Sequence, residues 1–468
     1  MDDFFEDDND GLSNIKDLIK RFHEMLDEDK HVFFDSAEYC DIVDYYFDEN
    51  DLKLAGQAIS MGLAQFPGNT ELMLKKALLL INSDQVETAL NVLAEVEKYD
   101  PTNSELYFTK GAVYSKLHRY DDAIKEYNKA IDGHDDLAQI YTSIAFEYEN
   151  LNQYDKAIEY LKEAIEIEPQ NDPIFNELAF CFEMAQRLDD AIIYINLFLE
   201  KFPYSHNAWF NLGIIYNELE LFEKAVDAYE YCIAIHPQIT WPYFNKATSL
   251  TNMGLYKAAI NTYKETFVYE NPESTTYYFI GECYEKLEDY SKALEFFKKA
   301  VQVDKTLADA WVGMGVAYEE LGDIKSALRS IRKGVSLDPE NVEFLATQAI
   351  IEQQAGLIDD AIDSFSKAAE LNPLDLNIWL DYSDLYASID EYEHALEIIE
   401  IGIQSQPDNN QLVLRKVAYL YRAGKPKEAI SILQQILVLD KVELENLWEY
   451  APSLRFDNAI AEIIHDLR

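Results

Sequence analysis

The sequence predicts an all-α fold made of tandem antiparallel helix pairs, and three observations support this. An alanine recurs every 34 residues at twelve positions with no insertion or deletion, which indicates a repeat architecture. A large apolar side chain follows each alanine by four residues, so the two share one face of a helix. Proline, which cannot extend a helix interior, closes eight of the twelve repeats. The alanines are Ala55, Ala89, Ala123, Ala157, Ala191, Ala225, Ala259, Ala293, Ala327, Ala361, Ala395 and Ala429.

Each repeat is predicted to hold two amphipathic helices. Twelve residues before the alanine the side chain is usually small, as at Gly213, and three residues further on it is usually aromatic, as at Tyr216. A small residue opposite an alanine lets two helix backbones approach closely, and the aromatic ring fills the neighbouring volume. We therefore expect the helices of one repeat to pack against each other.

The chain is predicted to have four parts. Residues 1–11 form an acidic disordered tail, and residues 12–35 form an amino-terminal capping helix with an apolar stripe. Twelve repeats occupy residues 36–443, and residues 444–468 form a carboxy-terminal capping helix. Terminal helices of a repeat array need a polar outer face because nothing stacks on them.

The repeats resemble the tetratricopeptide repeat family. The sixth repeat carries the family's pattern in Trp209, Leu212, Gly213, Tyr216, Ala225, Tyr229 and Pro237. A closely similar pattern runs from Trp311 to Pro339, and the resemblance covers most of the chain. It implies a right-handed superhelical solenoid in which the first helix of every repeat lines a concave channel.

The composition restricts the partners. The 468 residues include 39 Lys+Arg and 87 Asp+Glu, a formal charge of −48. Such a field repels phosphate groups, so general nucleic-acid binding and anionic membrane surfaces are disfavoured. The longest aliphatic run, from Ala77 to Ile81, is too short to cross a bilayer. We expect a cytoplasmic protein.

No pattern of catalytic residues is present in the sequence. Phosphate-binding glycine loops, nucleophile elbows and paired metal-ligand histidines are all missing from it. The four cysteines are expected to be packing thiols. We therefore predict no enzyme activity, no cofactor, no metal and no small-molecule substrate.

The resemblance places partner contacts at positions 2, 5, 9 and 12 of each repeat, counted from Ser36 in steps of 34 residues. Repeats three to eight each carry a Phe or Tyr ring there, and repeat seven adds the indole of Trp241. Amides accompany the rings or stand one position further on. Aromatic rings provide contact area at low entropic cost, and amides can bond a peptide backbone. The predicted channel residues are Phe108, Phe146, Asn176, Phe180, Phe210, Asn211, Asn217, Trp241, Phe244, Asn245 and Tyr278. The alternative is that these rings pack between helices and only cover the core.

Charge is distributed unevenly along the repeats. Repeats ten and eleven together carry −14, and repeat twelve reverses to +3. A solvated face is the simplest explanation, and docking of a basic partner segment is the functional one. The basic repeat could instead neutralise its acidic neighbour or contact RNA. The predicted acidic patch contains Asp381, Asp384, Asp390, Glu391 and Glu393.

Glu352 breaks the repeat pattern, because other repeats have Tyr, Phe or Leu at this position. An unpaired buried carboxylate is costly. A helix shift that exposes Glu352 is the simple explanation, and a channel kink or a polar contact is the alternative. In either case we expect weaker packing in repeat ten, and a gain in stability from Glu352→Tyr.

The predicted function is a protein-interaction scaffold or adaptor that binds a partner's peptide or helix in the channel and favours basic segments. Positions 2, 5 and 9 carry no Lys or Arg in any repeat, so a partner with an acidic tail is disfavoured. The alternatives are a regulatory subunit of a larger complex, for which self-association is possible, and an RNA-associated factor.

Overall fold

The computed structural model describes residues 7–28, 32–407, 409–439, 447–448, 451–456 and 460. Across these residues the secondary structure consists of 25 α-helices with two short 3-10 turns, and no strand is present. The helices are α1 (Asp7–Glu28), α2 (Ser36–Asp48), α3 (Leu52–Gln65), α4 (Thr70–Asn82), α5 (Val86–Tyr99), α6 (Ser104–Lys116), α7 (Tyr120–Ala130), α8 (Leu137–Asn150), α9 (Tyr154–Ile167), α10 (Asp172–Met184), α11 (Leu188–Lys201), α12 (His206–Glu218), α13 (Phe222–Ile235), α14 (Trp241–Asn252), α15 (Tyr256–Glu265), α16 (Ser274–Lys286), α17 (Tyr290–Val303), α18 (Ala308–Glu320), α19 (Ile324–Leu337), α20 (Val342–Gln354), α21 (Ile358–Leu371), α22 (Leu376–Ser388), α23 (Tyr392–Ser405), α24 (Asn410–Arg422) and α25 (Pro426–Leu439).

The chain divides into two compact units, Met1–Pro237 and Gln238–Arg468. The first contains α1 and the six helix pairs from α2 to α13, and the second contains the six pairs from α14 to α25. The predicted all-α architecture of tandem helix pairs is confirmed.

The two ends are described only in part. Helix α1 begins at Asp7, five residues before the predicted start of the capping helix at residue 12. The predicted tail therefore overlaps the helix at residues 7–11, and residues 1–6 lie outside the described residues. Most of the predicted carboxy-terminal cap, residues 444–468, also lies outside them. The four-part organisation remains a prediction.

Side-chain caps set the start of most first helices. Asp35 accepts a hydrogen bond from the backbone N–H of Glu38 at 2.8 Å, and the Glu38 side chain accepts one from the backbone of Asp35 at 2.9 Å. This reciprocal capping box satisfies two N–H groups that the helix itself leaves unpaired. Asn69, Asn103 and Ser205 cap their helices in the same way with a single bond.

A residue in the left-handed region follows each first helix. The twelve residues at position 15 of the repeats all have φ between 55° and 79°. The next residue then donates its N–H to the carbonyl five residues earlier, as Leu221 does to Tyr216 at 2.8 Å. This bond ends the helix and reverses the chain. The residues are Asn50, Asp84, His118, Asn152, Gln186, Glu220, Gly254, Glu288, Gly322, Gly356, Asp390 and Gly424.

The core of each compact unit contains the repeating positions that the sequence identified. All twelve periodic alanines are 0% exposed, and the apolar residues that follow them by four are at most 4% exposed. At three repeats the small residue on the first helix is a glycine under an aromatic ring. A Cβ on Gly213 would lie 2.5 Å from Cε1 of Tyr229, so no larger side chain fits without movement.

Glu352 is buried and fully partnered, so the expectation of weak packing in repeat ten was wrong. Its carboxylate is 1% exposed and accepts bonds from Arg332 at 2.9 Å, Gln348 at 3.1 Å and Ser364 at 2.8 Å. Arg332 belongs to repeat nine and also reaches Asp360 at 2.6 Å. The ion pair between Arg332 and Glu352 therefore joins repeats nine and ten. Glu352 is the residue that departs from the repeat pattern in the sequence.

Gly213→Ala is expected to lower the free energy of unfolding by up to about 2 kcal/mol. Overpacking against Tyr229 costs roughly 1–3 kcal/mol, and higher helix propensity offsets about 1 kcal/mol of this cost. Urea denaturation followed by circular dichroism measures the change. Gly68→Ala is the control, because a Cβ there meets nothing within 4 Å. Equal midpoints for the two variants would contradict the close approach.

Glu352→Tyr is now expected to destabilise the protein by about 2–4 kcal/mol, because removing one member of a buried pair leaves the others unpaired. Thermal and urea unfolding measure the shift. Glu370→Tyr makes the same change at an exposed site of α21 and should stay within about 0.5 kcal/mol of the parent protein. A rise in stability for Glu352→Tyr would restore the original expectation.

Candidate partner-binding surface

A cavity of about 730 Å³ opens on the first helices of repeats three to five in the first compact unit. Ala112, Thr142 and Phe146 line it, and all three occupy positions that the resemblance assigned to the channel. The volume falls in the range of sites that hold small ligands or side chains of a bound chain. Residues at predicted channel positions of two neighbouring repeats therefore line the same cavity.

Three of the seven predicted aromatic residues, Phe146, Phe180 and Trp241, are solvent-exposed. Phe146 is 53% exposed and Phe180 is 44% exposed, and both stand at position 9 of adjacent repeats. The Phe180 ring contacts Tyr154 edge-on, with centroids 6.3 Å apart. Exposed rings at equivalent positions of neighbouring helices give an apolar surface that a partner could cover.

The other four rings of the predicted series pack within their own repeat. All four stand at position 5 of their repeats, on the first helix. Each contacts the aromatic ring on the second helix that lies four residues after the buried alanine. The ring centroids are 5.5 Å apart for Phe108 and Tyr127, 5.9 Å for Phe210 and Tyr229, 5.9 Å for Phe244 and Tyr263, and 5.8 Å for Tyr278 and Phe297. These rings are half-buried, so they contribute both to the core and to the surface.

The predicted amides have different surroundings. Asn211 is 2% exposed and donates to Oδ1 of Asn176 at 3.2 Å, which links repeats six and five. Asn217 is half-buried in α12. In the second compact unit, Asn245 is half-buried and Trp241 is 39% exposed. Asn211 belongs to the first compact unit and Asn245 to the second.

The predicted acidic patch divides into two groups. Asp381 and Asp384 lie on α22, where Asp384 accepts bonds from Arg415 and Tyr419 of repeat twelve. Burial and the neighbouring Asp384 raise the pKa of Asp381. The remaining three residues, Asp390, Glu391 and Glu393, are exposed at the turn into α23 and its first residues.

Cations of repeat twelve pair with acids of repeat eleven. Arg415 bonds Asp384, and Lys416 bonds Glu400. The Arg415 guanidinium is largely enclosed, with 18% of its side chain exposed. This arrangement supports neutralisation of the acidic repeat by its basic neighbour, which was one of the alternatives that the charge pattern left open.

A carboxyl pair that the sequence did not single out lies between repeats four and five. Glu149 on α8 accepts a bond from Sγ of Cys181 at 3.3 Å, and Glu177 on α10 is its acidic neighbour. Burial, followed by the adjacent Glu177, raises the pKa of Glu149 to about 8. Two carboxylates at one site cannot both ionise cheaply, so this pair holds a proton at neutral pH.

The four cysteines Cys40, Cys181, Cys232 and Cys283 are buried and form no disulfide bond with one another. No group of three or more His, Cys, Asp or Glu that could hold a metal ion occurs among the described residues. In the same part of the chain, no helix is long and apolar enough to cross a membrane.

Family models described as tetratricopeptide repeat match six segments of the chain. The segments are residues 104–132, 138–171, 206–239, 274–307, 308–341 and 346–410. Five of the six begin at the first residue of a repeat counted from Ser36. The chain belongs to the tetratricopeptide repeat family. For this tetratricopeptide repeat protein, family membership supports a protein-interaction scaffold as the function class.

Several solved structures are similar to this tetratricopeptide repeat protein. A tetratricopeptide repeat protein from Parabacteroides merdae is 16% identical, with a TM-score of 0.41, over 61% of this chain and 99% of that one. The APC/C hetero-tetramer Cut9–Hcn1 is 14% identical, with a TM-score of 0.40, over 84% and 90%. YrrB, described as a tetratricopeptide repeat protein with an unusual peptide-binding site, is 24% identical, with a TM-score of 0.34, over 41% and 98%. No curated protein sequence matches this chain.

The raised pKa of Glu149 predicts a stability that falls with pH. The folded state keeps a proton that the unfolded state loses, so stability declines as the pH rises from about 4.5 to about 8. Glu149→Gln should reduce this decline and stabilise the protein at pH 8 by about 1–2 kcal/mol, after allowance for solvent screening. Urea midpoints at pH 5 and pH 8 measure it. Glu183→Gln, at the same position of the next repeat, is the control. Equal dependence of the urea midpoint on pH for Glu149→Gln and the parent would rule out the shared proton.

Proposed function

We propose that this tetratricopeptide repeat protein is a non-catalytic scaffold or adaptor that binds an extended peptide or a helix of a partner protein. The binding surface is the first-helix face of repeats three to six, with the exposed rings Phe146 and Phe180 as its apolar contacts. The amide pair Asn176 and Asn211 lies on the same set of first helices in repeats five and six. The location that fits this role is the cytoplasm.

The proposal rests mainly on the exposure of Phe146 and Phe180, of which Phe146 also lines the 730 Å³ cavity. Burying an aromatic side chain removes a large apolar area from water, and such rings dominate the energy of interfaces. Two exposed rings at the same position of adjacent repeats match the periodic contacts that an extended chain makes along stacked helices.

A preference for basic segments follows from the charge. The net charge is −48, and positions 2, 5 and 9 of the first helices carry no Lys or Arg. A basic segment is attracted by this field and an acidic one is repelled. Because Asp384 is paired with Arg415, repeat eleven attracts a basic segment less strongly than its charge suggests. We therefore expect the basic segment to contact repeats three to six.

The two alternatives from other functional classes are less well supported. An RNA contact would use Arg415 and Lys416, and both cations already pair with carboxylates of repeat eleven. A regulatory subunit that self-associates would need a large apolar surface of its own. The apolar residues Ile193 and Leu197 on α11, 60% and 55% exposed, are the observation that favours this second alternative.

The double variant Phe146→Ala/Phe180→Ala should lose partner binding while the fold is retained, because both rings are exposed in the free protein. The expected loss is about tenfold or more in affinity, since each buried aromatic anchor contributes about 1–2 kcal/mol or more. Binding of peptides from a random twelve-residue phage-displayed library to the full chain measures this loss.

Ile193→Ala/Leu197→Ala is the matched control, with two exposed apolar residues changed on a second helix. It should retain peptide binding. If the control loses the peptides and the Phe146/Phe180 variant keeps them, the binding surface is on the second helices and the proposal is wrong. Size-exclusion chromatography of the control variant tests self-association through α11.

A further inference from the structure

Glu147 is a buried carboxylate at the wall of the cavity on repeats three to five. It is 1% exposed and lines the cavity together with Phe146, its neighbour on α8. Within the described part of the chain, its Oε2 atom has no hydrogen-bond partner. Buried charged groups normally have partners, so an acceptor left unpaired at a cavity wall calls for an explanation.

The same position is uncharged in the other eleven repeats, where it holds Tyr, Leu, Val, Cys, Ile, Ser or Ala. An apolar side chain there would pack into the core at no electrostatic cost. Burial raises the pKa of Glu147 above its ordinary value, and a hydrogen bond with Ser115 opposes the rise. The carboxylate is therefore unfavourable in the empty cavity, and it lacks the neighbouring cation that stabilises Glu352.

The remaining charged groups at the cavity are already satisfied. Asp136 caps α8 by accepting the N–H of Gln139 at 2.8 Å, and Glu168 accepts a bond from Asn171 at 2.7 Å. Lys116 pairs with Asp84 at 3.2 Å. The lining thus carries three acids and one lysine, and the lysine is neutralised from outside the cavity. The net charge of the site favours a cation.

We propose that this cavity takes one lysine or arginine side chain of the bound peptide. The ammonium or guanidinium group pairs with Oε2 of Glu147, and the methylene stem lies on the exposed ring of Phe146. Aromatic rings accept both the stem and the cation, so the two residues form one recognition site for a long basic side chain. The entering cation supplies the partner that the Glu147 carboxylate lacks in the empty cavity.

The inference rests on the proposed function and makes it more specific. It assigns the preference for basic segments to one subsite in the first compact unit and to one carboxylate. It also gives a reason for the unpartnered oxygen, because the partner supplies the missing donor.

A double-mutant cycle tests the pairing. Peptides selected from the random twelve-residue library on the full chain are synthesised with each lysine replaced by norleucine and each arginine by citrulline, which remove the charge and keep the size. Fluorescence anisotropy gives the dissociation constants for the parent protein and for Glu147→Gln. At one basic position the replacement should weaken binding to the parent about tenfold or more, and change binding to Glu147→Gln less than about twofold.

Two controls separate this effect from loss of structure or of net charge. Glu147→Gln should unfold at the same temperature as the parent at pH 7, or higher, because it removes a charge that is unfavourable in the empty cavity. Glu166→Gln removes an equal charge from an exposed site on α9 and should leave the peptide affinity within about twofold of the parent.

The outcomes distinguish this inference from the proposed function. If peptides bind, are lost with Phe146→Ala/Phe180→Ala, and show the same charge dependence on the parent and on Glu147→Gln, the subsite is wrong and the scaffold function stands. Equal losses for Glu147→Gln and Glu166→Gln would reduce the effect to net charge and would also overturn the subsite. A library from which no peptide binds the chain contradicts both proposals.

Discussion

The reversal of the chain after each first helix is the constraint on which the rest of the structure depends. A residue in the left-handed region at position 15, with the bond from the next N–H to the carbonyl five residues earlier, ends the first helix and directs the second back along it. The two helices then pack closely enough that the Tyr229 ring leaves no room for a side chain at Gly213. Because this geometry recurs at every repeat, equivalent first-helix residues come to equivalent places on the surface of each compact unit.

The first helices therefore carry two kinds of residue that the repeat pattern alone does not separate. Rings such as Phe210 rest on the second helix of their own repeat, whereas Phe146 and Phe180 are open to solvent.

Two buried acids, Glu352 and Glu147, also depart from the repeat pattern, and their surroundings are opposite. Glu352 receives three donors, and one oxygen of Glu147 receives none. The first arrangement fits a structural charge that joins repeats, and the second fits a charge kept for a partner.

Much of the fold could be predicted from the sequence, because helical periodicity and the repeat length are local properties. The twelve alanines are buried as expected, and each repeat counted from Ser36 contains its two helices. The left-handed residues had a readable signal, since eight of the twelve are Gly, Asn or Asp. Glu147 had one too, as a charge at a position that is uncharged in the other repeats. The prediction for Glu352 was wrong because its cation, Arg332, is 20 residues away and on another repeat.

The sequence by itself determined the fold class, the family and the residues of the core, since each follows from a spacing repeated twelve times. Only the tertiary structure decided which rings are exposed, which acids are paired and where the cavity lies. Those properties depend on contacts between residues of neighbouring repeats, such as Asp384 with Arg415 or Asn176 with Asn211, whose side chains differ from repeat to repeat. A period specifies a backbone that every repeat shares, whereas a binding site depends on the side chains in which the repeats differ.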